Sequence, residues 1–141
     1  MAIPAHLRLE FVTPERAIVH DDVDEVELPG EDGYFGVLPG HAPLLAALKT
    51  GEMWYRKGAE KRFAFLAGGF AEVLPGRVAI LAQTAERAED IDAQRAEAAK
   101  HRAEDRLAKA HVVEIDAERA RVALMRAVTR INVSRQGRPR A

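Results

Sequence analysis

Pro75-Gly-Arg-Val-Ala-Ile-Leu-Ala-Gln-Thr-Ala-Glu-Arg-Ala-Glu-Asp-Ile-Asp-Ala-Gln-Arg-Ala96 is the stretch in which one kind of structure gives way to another. It opens on a turn dipeptide, and Val78, Ile80 and Ala82 follow on alternate positions. Successive side chains of a strand point to opposite faces, so this alternation predicts a half-buried strand. From Glu86 the pattern changes. Between Ile91 and Arg135 there is no Gly and no Pro, alanine is abundant, and Glu89, Asp90 and Asp92 crowd the start. Carboxylates are favoured there by the positive end of a helix dipole. A β part therefore closes and a helical part begins within this stretch, dividing the chain into residues 1–85 and 86–141.

Upstream, the same alternation recurs. Leu7, Leu9 and Phe11 alternate with Arg8, Glu10 and Val12, and Val26 with Leu28 and Phe63 with Phe65 repeat the pattern. Turn signals punctuate the chain at Pro29-Gly30, Asp32-Gly33, Pro39-Gly40, Thr50-Gly51, Lys57-Gly58 and Gly68-Gly69. Each supplies a residue that tolerates positive φ, or a proline that presets φ for the turn. Many short strands at such spacing predict an all-β sandwich or barrel.

Downstream, Asp90 is the expected N-cap of a first helix. Ala96, Ala99, Ala103, Leu107 and Ala110 recur at three- and four-residue steps and make one apolar stripe. The pattern breaks around His111-Val112-Val113. Asp116 then reads as a second cap, and Ala117, Ala120, Leu124, Ala127 and Ile131 form a second stripe. Two antiparallel helices joined by a short connection follow. Small side chains let helices approach closely, but each methyl buries little apolar surface at ~25 cal/mol per Å². A hairpin built on such a seam is lightly held and free to rearrange.

Composition narrows the function. The 141 residues contain no cysteine, which excludes disulfides, thiolate metal sites and thiol nucleophiles. The start, Met1-Ala-Ile-Pro-Ala-His, lacks the basic and apolar regions of a signal peptide. No apolar run approaches the ~20 residues of a membrane span. Net charge is −1, yet residues up to Asp90 carry 15 acidic and 9 basic side chains and those from Ile91 carry 7 and 12, giving −6 and +5. After Glu118 there is no acid, while Arg119, Arg121, Arg126, Arg130, Arg135, Arg138 and Arg140 follow. Such asymmetry points to different partners for the two parts.

The stretch Leu28-Pro-Gly-Glu-Asp-Gly-Tyr-Phe-Gly-Val-Leu-Pro-Gly-His-Ala-Pro-Leu-Leu45 is more than a set of turns. With Gly68-Gly-Phe-Ala-Glu-Val73 and Ala88-Glu-Asp-Ile-Asp92, it resembles the F-type ATP synthase epsilon subunit of bacterial type, in the family's order and over essentially the whole chain. The resemblance implies a ten-stranded β-sandwich and a C-terminal helical hairpin. It also implies a non-catalytic place in the central stalk, bound to the gamma subunit, the c-subunit ring and the alpha/beta catalytic hexamer. The expected location is peripheral, on the cytoplasmic face of the bacterial inner membrane. The hairpin is expected to inhibit ATP hydrolysis.

The resemblance also implies sites, each with a plainer alternative. Ile91, Asp92, Arg95 and Ala96 match a motif that binds a regulatory ATP in some family members; the alternative is a helix start with an acidic first turn. No cofactor is otherwise required. Arg119, Arg126 and Arg130, at i, i+7 and i+11, share a helix face and are expected to meet an acidic loop of the beta subunit; the alternative is a solvated face. Tyr34, Phe35 and His41 are expected at gamma or c-ring contacts, with core-filling or structural roles as the alternative. The run Asp21-Asp-Val-Asp-Glu-Val-Glu27 lacks the spacing of a calcium loop and reads as a charged edge or surface strand.

Five scattered histidines show no metal-ligand spacing, and no phosphate loop, nucleophile elbow or carboxylate pair is present, so no catalytic residue and no metal are assigned. A nucleic-acid-binding reading rests on the arginine-rich tail alone and fails on the acidic first part. A free-standing enzyme lacks an active-site grouping.

Overall fold

Leu7, Leu9 and Phe11 are fully buried while Arg8, Glu10 and Val12 between them are half-exposed, so the alternation read in β1 (Leu7–Val12) is the alternation of its two faces. The structure, a computed structural model, describes residues 2–110 and 116–137. The expected break at residues 111–113 and the arginines Arg138 and Arg140 lie outside the described residues. The chain forms two compact units, Met1–Arg87 and Ala88–Ala141.

In the first unit β1 pairs antiparallel with β2 (Ala17–Val23) and parallel with β8 (Arg77–Arg87). The remaining strands are β3 (Glu25–Gly30), β4 (Gly33–Val37), β5 (Leu44–Leu48), β6 (Gly51–Lys57) and β7 (Glu60–Leu74). Their order is β2-β1-β8-β7-β5-β3-β4, with β6 joining β3 to β7. Leu7, Leu9, Phe11, Val26, Leu28, Met53, Leu66 and Ile80 fill the space the strands enclose.

The corner of this sandwich lies in β7. Its first half pairs with β6, Gly51 opposite Leu66, and its second half pairs with β5, Leu48 opposite Gly69, while β8 follows it from Ala64 to Leu74. The strand changes neighbours at Gly68-Gly69, where φ is 71° and 137°. A Cβ on Gly69 would run into the Leu81 carbonyl oxygen and stand 2.8 Å from the Ala82 Cα. Only glycine fits such a backbone crossing. Eight continuous strands result, against the ten implied by resemblance; counting the two halves of β7 and of β8 separately gives ten.

In the second unit a short 3₁₀ turn (Ala88–Asp90) leads into α1 (Ala93–Ala108), and α2 (Ala117–Gln136) follows. The expected cap Asp90 is corrected: it ends the 3₁₀ turn, and Asp92 caps α1, its Oδ1 accepting the Arg95 amide at 3.0 Å. Asp92 precedes the first helical residue with extended backbone, which lets its short side chain reach that amide. Asp116 caps α2 in the same way at 3.1 Å. The helices are antiparallel: Arg106 near the end of α1 lies beside Asp116 and Arg119, and Gly137 after α2 lies against Ala88 and Glu89. Ala96, Ala103, Ala120, Ala127 and Ile131 are buried, whereas Ala99, Leu107, Ala110, Ala117 and Leu124 are only half-buried. No described helix is long and apolar enough to cross a membrane.

Candidate functional site

The turn between β3 and β4 brings Glu31 and Asp32 to one side of a cavity of about 410 Å³, with Tyr34, Phe35, Leu44 and Leu45 on the others. Tyr34 and Phe35 are neighbours in β4, so they point to opposite faces. Tyr34 is 52% exposed, whereas Phe35 packs on the core, which is the plainer alternative for that residue. The Tyr34 hydroxyl accepts from the Glu52 amide at 3.2 Å, and the Lys49 ammonium stands 5.8 Å from its ring. His41 lies at the far end of the loop that follows β4. There the Gly40 amide donates to the Pro75 carbonyl at 2.7 Å, and His41 Nδ1 bonds the Ala42 carbonyl at 2.6 Å. The His41 ring thus ties its own turn, and the structure does not bring it to Tyr34's face of β4.

Half-buried Glu52 carries the one buried side-chain oxygen among the described residues, its Oε1, that lacks a hydrogen-bond partner. Burial first, and the Glu27 carboxylate second, push its pKa above the ordinary glutamate value. The acidic run is different. Lys57 meets Asp21 at 3.0 Å, Arg8 meets Asp22 at 3.2 Å and Arg56 meets Glu25 at 3.1 Å. Asp24 accepts from the Gly58 amide at 2.7 Å and from His6 at 3.1 Å, and the amide above all lowers its pKa. Asp21 and Asp22 lie in β2, which ends the strand order, whereas Glu25 and Glu27 lie in β3, paired with β4, β5 and β6; the run is thus a charged edge and a surface strand, held by cations from β1 and β6. No described cluster of His, Cys, Asp or Glu has the arrangement of a metal site.

In the helical unit Ile91 and Ala96 are buried, at 8% and 3% exposure, and Asp92 is committed through one oxygen to the α1 cap. Arg95 is exposed one turn on. These residues are close in space, but two of the four pack inward. Arg119 and Arg126 are exposed and Arg130 is half-buried on the same face of α2. Arg119 and Arg106 line a second cavity of about 340 Å³ with Asp116.

Sequence reading missed an outward apolar row on the sandwich. Phe70 of β7 and Leu81 of β8, directly opposite each other, are 58% and 55% exposed. The available signal was a lapse in alternation: Leu81 is apolar between inward Ile80 and Ala82.

Residues 6–88 match the family described as ATP synthase, Delta/Epsilon chain, beta-sandwich domain, and residues 89–135 match its long alpha-helix domain. The ATP synthase epsilon chain of Nitratidesulfovibrio vulgaris (strain DP4) is 48% identical over 127 residues, 90% of this chain and 94% of that protein. The ATP synthase epsilon chain of Syntrophobacter fumaroxidans is 49% identical over 128 residues, 91% of this chain and 95% of that one. Among solved structures, a chain of the Euglena gracilis mitochondrial ATP synthase, in an OSCP/F1/c-ring assembly, superposes with a TM-score of 0.77 at 26% identity, covering 89% of this chain and 79% of that chain. A chain of the Tetrahymena thermophila mitochondrial ATP synthase central stalk and c-ring shares the fold at 13% identity, with a TM-score of 0.55 over 92% of this chain and 94% of that chain.

Proposed function

The chain belongs to the ATP synthase delta/epsilon chain family as a non-catalytic, epsilon-like central-stalk subunit, and from that premise we propose that its helical hairpin restrains ATP hydrolysis while its sandwich holds the rotor. The sandwich binds the gamma subunit and rests on the c-subunit ring at the peripheral, cytoplasmic face of the membrane. Its part in catalysis is to couple proton flow to ATP synthesis in the alpha/beta hexamer. Tyr34, exposed beside Glu31 and Asp32, is the c-ring-facing member of the expected contacts; Phe35 packs on the core beneath β4, and His41 holds its own turn.

The observation that carries the inhibitory reading is the seam of the hairpin. Ala96, Ala103, Ala120 and Ala127 are buried there, with Ile131 and Val133 as the larger buried side chains of α2, so four of these six positions contribute only a methyl group. Such a pair opens readily, and opening exposes a helix whose Arg119, Arg126 and Arg130 share a face, a cationic strip suited to a carboxylate-bearing partner. The test is hydrolysis by the reconstituted complex with the full chain, with a chain lacking residues 88–141, and with Arg119, Arg126 and Arg130 neutralised together. Both changes are expected to raise hydrolysis. Equal rates in all three would refute the inhibitory role and leave the rotor role standing.

A further inference from the structure

Glu52, Trp54 and Arg56 alternate along β6 and point to one side of it. Pairing sets Glu27 of β3 opposite Trp54 and Phe65 of β7 opposite Glu52. Glu27 and Glu52 are therefore diagonal neighbours on one face of the sheet, about 7–8 Å apart between Cα atoms. Phe65 is fully buried, both glutamates are half-buried, and the Glu52 Oε1 has no hydrogen-bond partner.

The cations around this pair are committed elsewhere. On β6, Arg56 donates to Glu25 at 3.1 Å and to the Gly58 carbonyl at 2.8 Å, and Lys57 meets Asp21 at 3.0 Å. On β7, Lys61 stands 4.1 Å from the Trp54 ring and Arg62 meets Glu60 at 3.0 Å. Lys49, just after β5, stands by the Tyr34 ring. Glu86 of β8, opposite Phe65, adds a third carboxylate to the same face. Asp21, Asp24 and Glu25 each have a cation within 4 Å, whereas among the described residues Glu27 and Glu52 have none. Two neighbouring carboxylates without a counter-charge, one with a buried oxygen, favour keeping a proton over ionising together. Burial of Glu52 and the charge of Glu27 both act in that direction.

The backbone of Glu52 is tied to Tyr34, its amide donating to the phenol oxygen at 3.2 Å. The strand has no slack at this point. A Cβ on Gly51 would stand 2.7 Å from the Pro29 Cβ and 2.8 Å from the Tyr34 Oη. A displacement at the start of β6 therefore reaches Tyr34 directly.

We propose that Glu52, set against Glu27, is a proton-linked switch that fixes the pose of Tyr34. With Glu52 protonated, its side chain stays beside Phe65, β6 stays seated and the Tyr34 hydroxyl keeps the Glu52 amide. When the proton leaves to bulk water, the charged carboxylate turns away from Phe65 and Glu27 toward solvent. The start of β6 loosens with it and the Tyr34 ring is released. The switch stands without the stalk reading, and it gives the side chain placed there at the c-ring a response to pH.

The full chain carrying 3-fluorotyrosine at its two tyrosines, followed by fluorine NMR from about pH 4 to about pH 7, tests this. Tyr55, buried in the core, is the internal reference. The Tyr34 resonance is expected to move in one step with a midpoint above the ordinary glutamate value, while that of Tyr55 stays in place. In Glu52→Gln the step should vanish, with Tyr34 held at its acid-side position throughout. In Glu27→Gln the step should remain and its midpoint should move to lower pH, because a repelling charge is gone. No step in the parent chain, a step that survives in Glu52→Gln, or a midpoint unmoved in Glu27→Gln would each overturn the proposal. Should Glu52→Gln fail to fold, the parent chain and Glu27→Gln decide between them.

Discussion

Gly69→Ala tests the corner on which the sandwich turns. At φ 137° an alanine is strained by about 1–3 kcal/mol. Its methyl also has no space, because the Leu81 carbonyl oxygen occupies the position and the Ala82 Cα is 2.8 Å away. Relief requires β8 to move from β7, leaving backbone groups unpaired at about 1–3 kcal/mol each. The expected loss is about 3–5 kcal/mol, a drop in melting temperature of roughly 15–30 °C for a unit of this size. Gly58→Ala is the control. Gly58 has φ 63° in the β6–β7 turn but nothing within 4 Å of an added Cβ, so only the left-handed penalty of about 1–2 kcal/mol applies. Trp54, the single tryptophan, lies in β6, and its fluorescence follows the sandwich alone during thermal unfolding. Equal drops in the two variants, or a Gly69→Ala chain melting within about 5 °C of the parent, would refute the backbone-collision account.

Three further outcomes follow from the charges. Glu52 has a raised folded-state pKa, so its favourable contribution is complete below the unfolded value and is lost as pH rises through the folded one. Glu52→Gln should therefore be more stable than the parent at pH 7, by about 1 kcal/mol, with the gap closing toward pH 4; denaturant titrations at both pH values measure it. Asp24 has the opposite sign: its pKa is lowered, so its contribution is present above the unfolded value and lost as pH falls through the folded one. Asp24→Asn should destabilise at neutral pH and be nearly silent in acid, as read by urea melts. Asp92→Ala should lower helical-unit stability by about 1 kcal/mol, while Asp92→Asn keeps the cap. If ATP uses the Asp92 carboxylate, calorimetric titration will show binding lost in both variants; retained binding in Asp92→Asn removes that carboxylate from the site.

How far the fold was legible depended on which rule each residue obeyed. Leu7, Leu9, Phe11, Val78, Ile80 and Ala82 obey period two, and all six are buried as read. Asp116 was legible as a cap because the residues beyond it have helical spacing from the first turn. Asp90 misled because three carboxylates stand within four residues, and composition cannot show that the first two close a 3₁₀ turn. The strand count turned on Gly68-Gly69, which reads as a turn but acts as a bend inside one continuous strand, since β8 pairs across it in unbroken register. The outward row was the least legible feature. Phe70 and Leu81 come from strands whose inward faces are also apolar, and only the pairing places them side by side.

The hairpin seam connects composition to action through magnitude. A buried alanine methyl contributes roughly 0.8 kcal/mol and a buried leucine or isoleucine roughly 1.5–3. Ala96, Ala103, Ala120, Ala127, Ile131 and Val133 together supply roughly 6–9 kcal/mol, where six leucines would supply roughly 9–18. Reversing a hundredfold preference for the closed state takes about 5.5 kcal/mol of differential binding. Hydrogen bonds from a charged group contribute about 1.5–3 kcal/mol each, so three arginines on one helix face reach that figure with a suitably placed acidic partner. With leucines at the same positions the same three contacts would fall short. Replacing Ala103 and Ala120 by larger apolar residues that still pack should therefore weaken inhibition without touching an arginine. If such variants melt higher and inhibit hydrolysis as strongly as the parent, opening of the seam is not the controlling step.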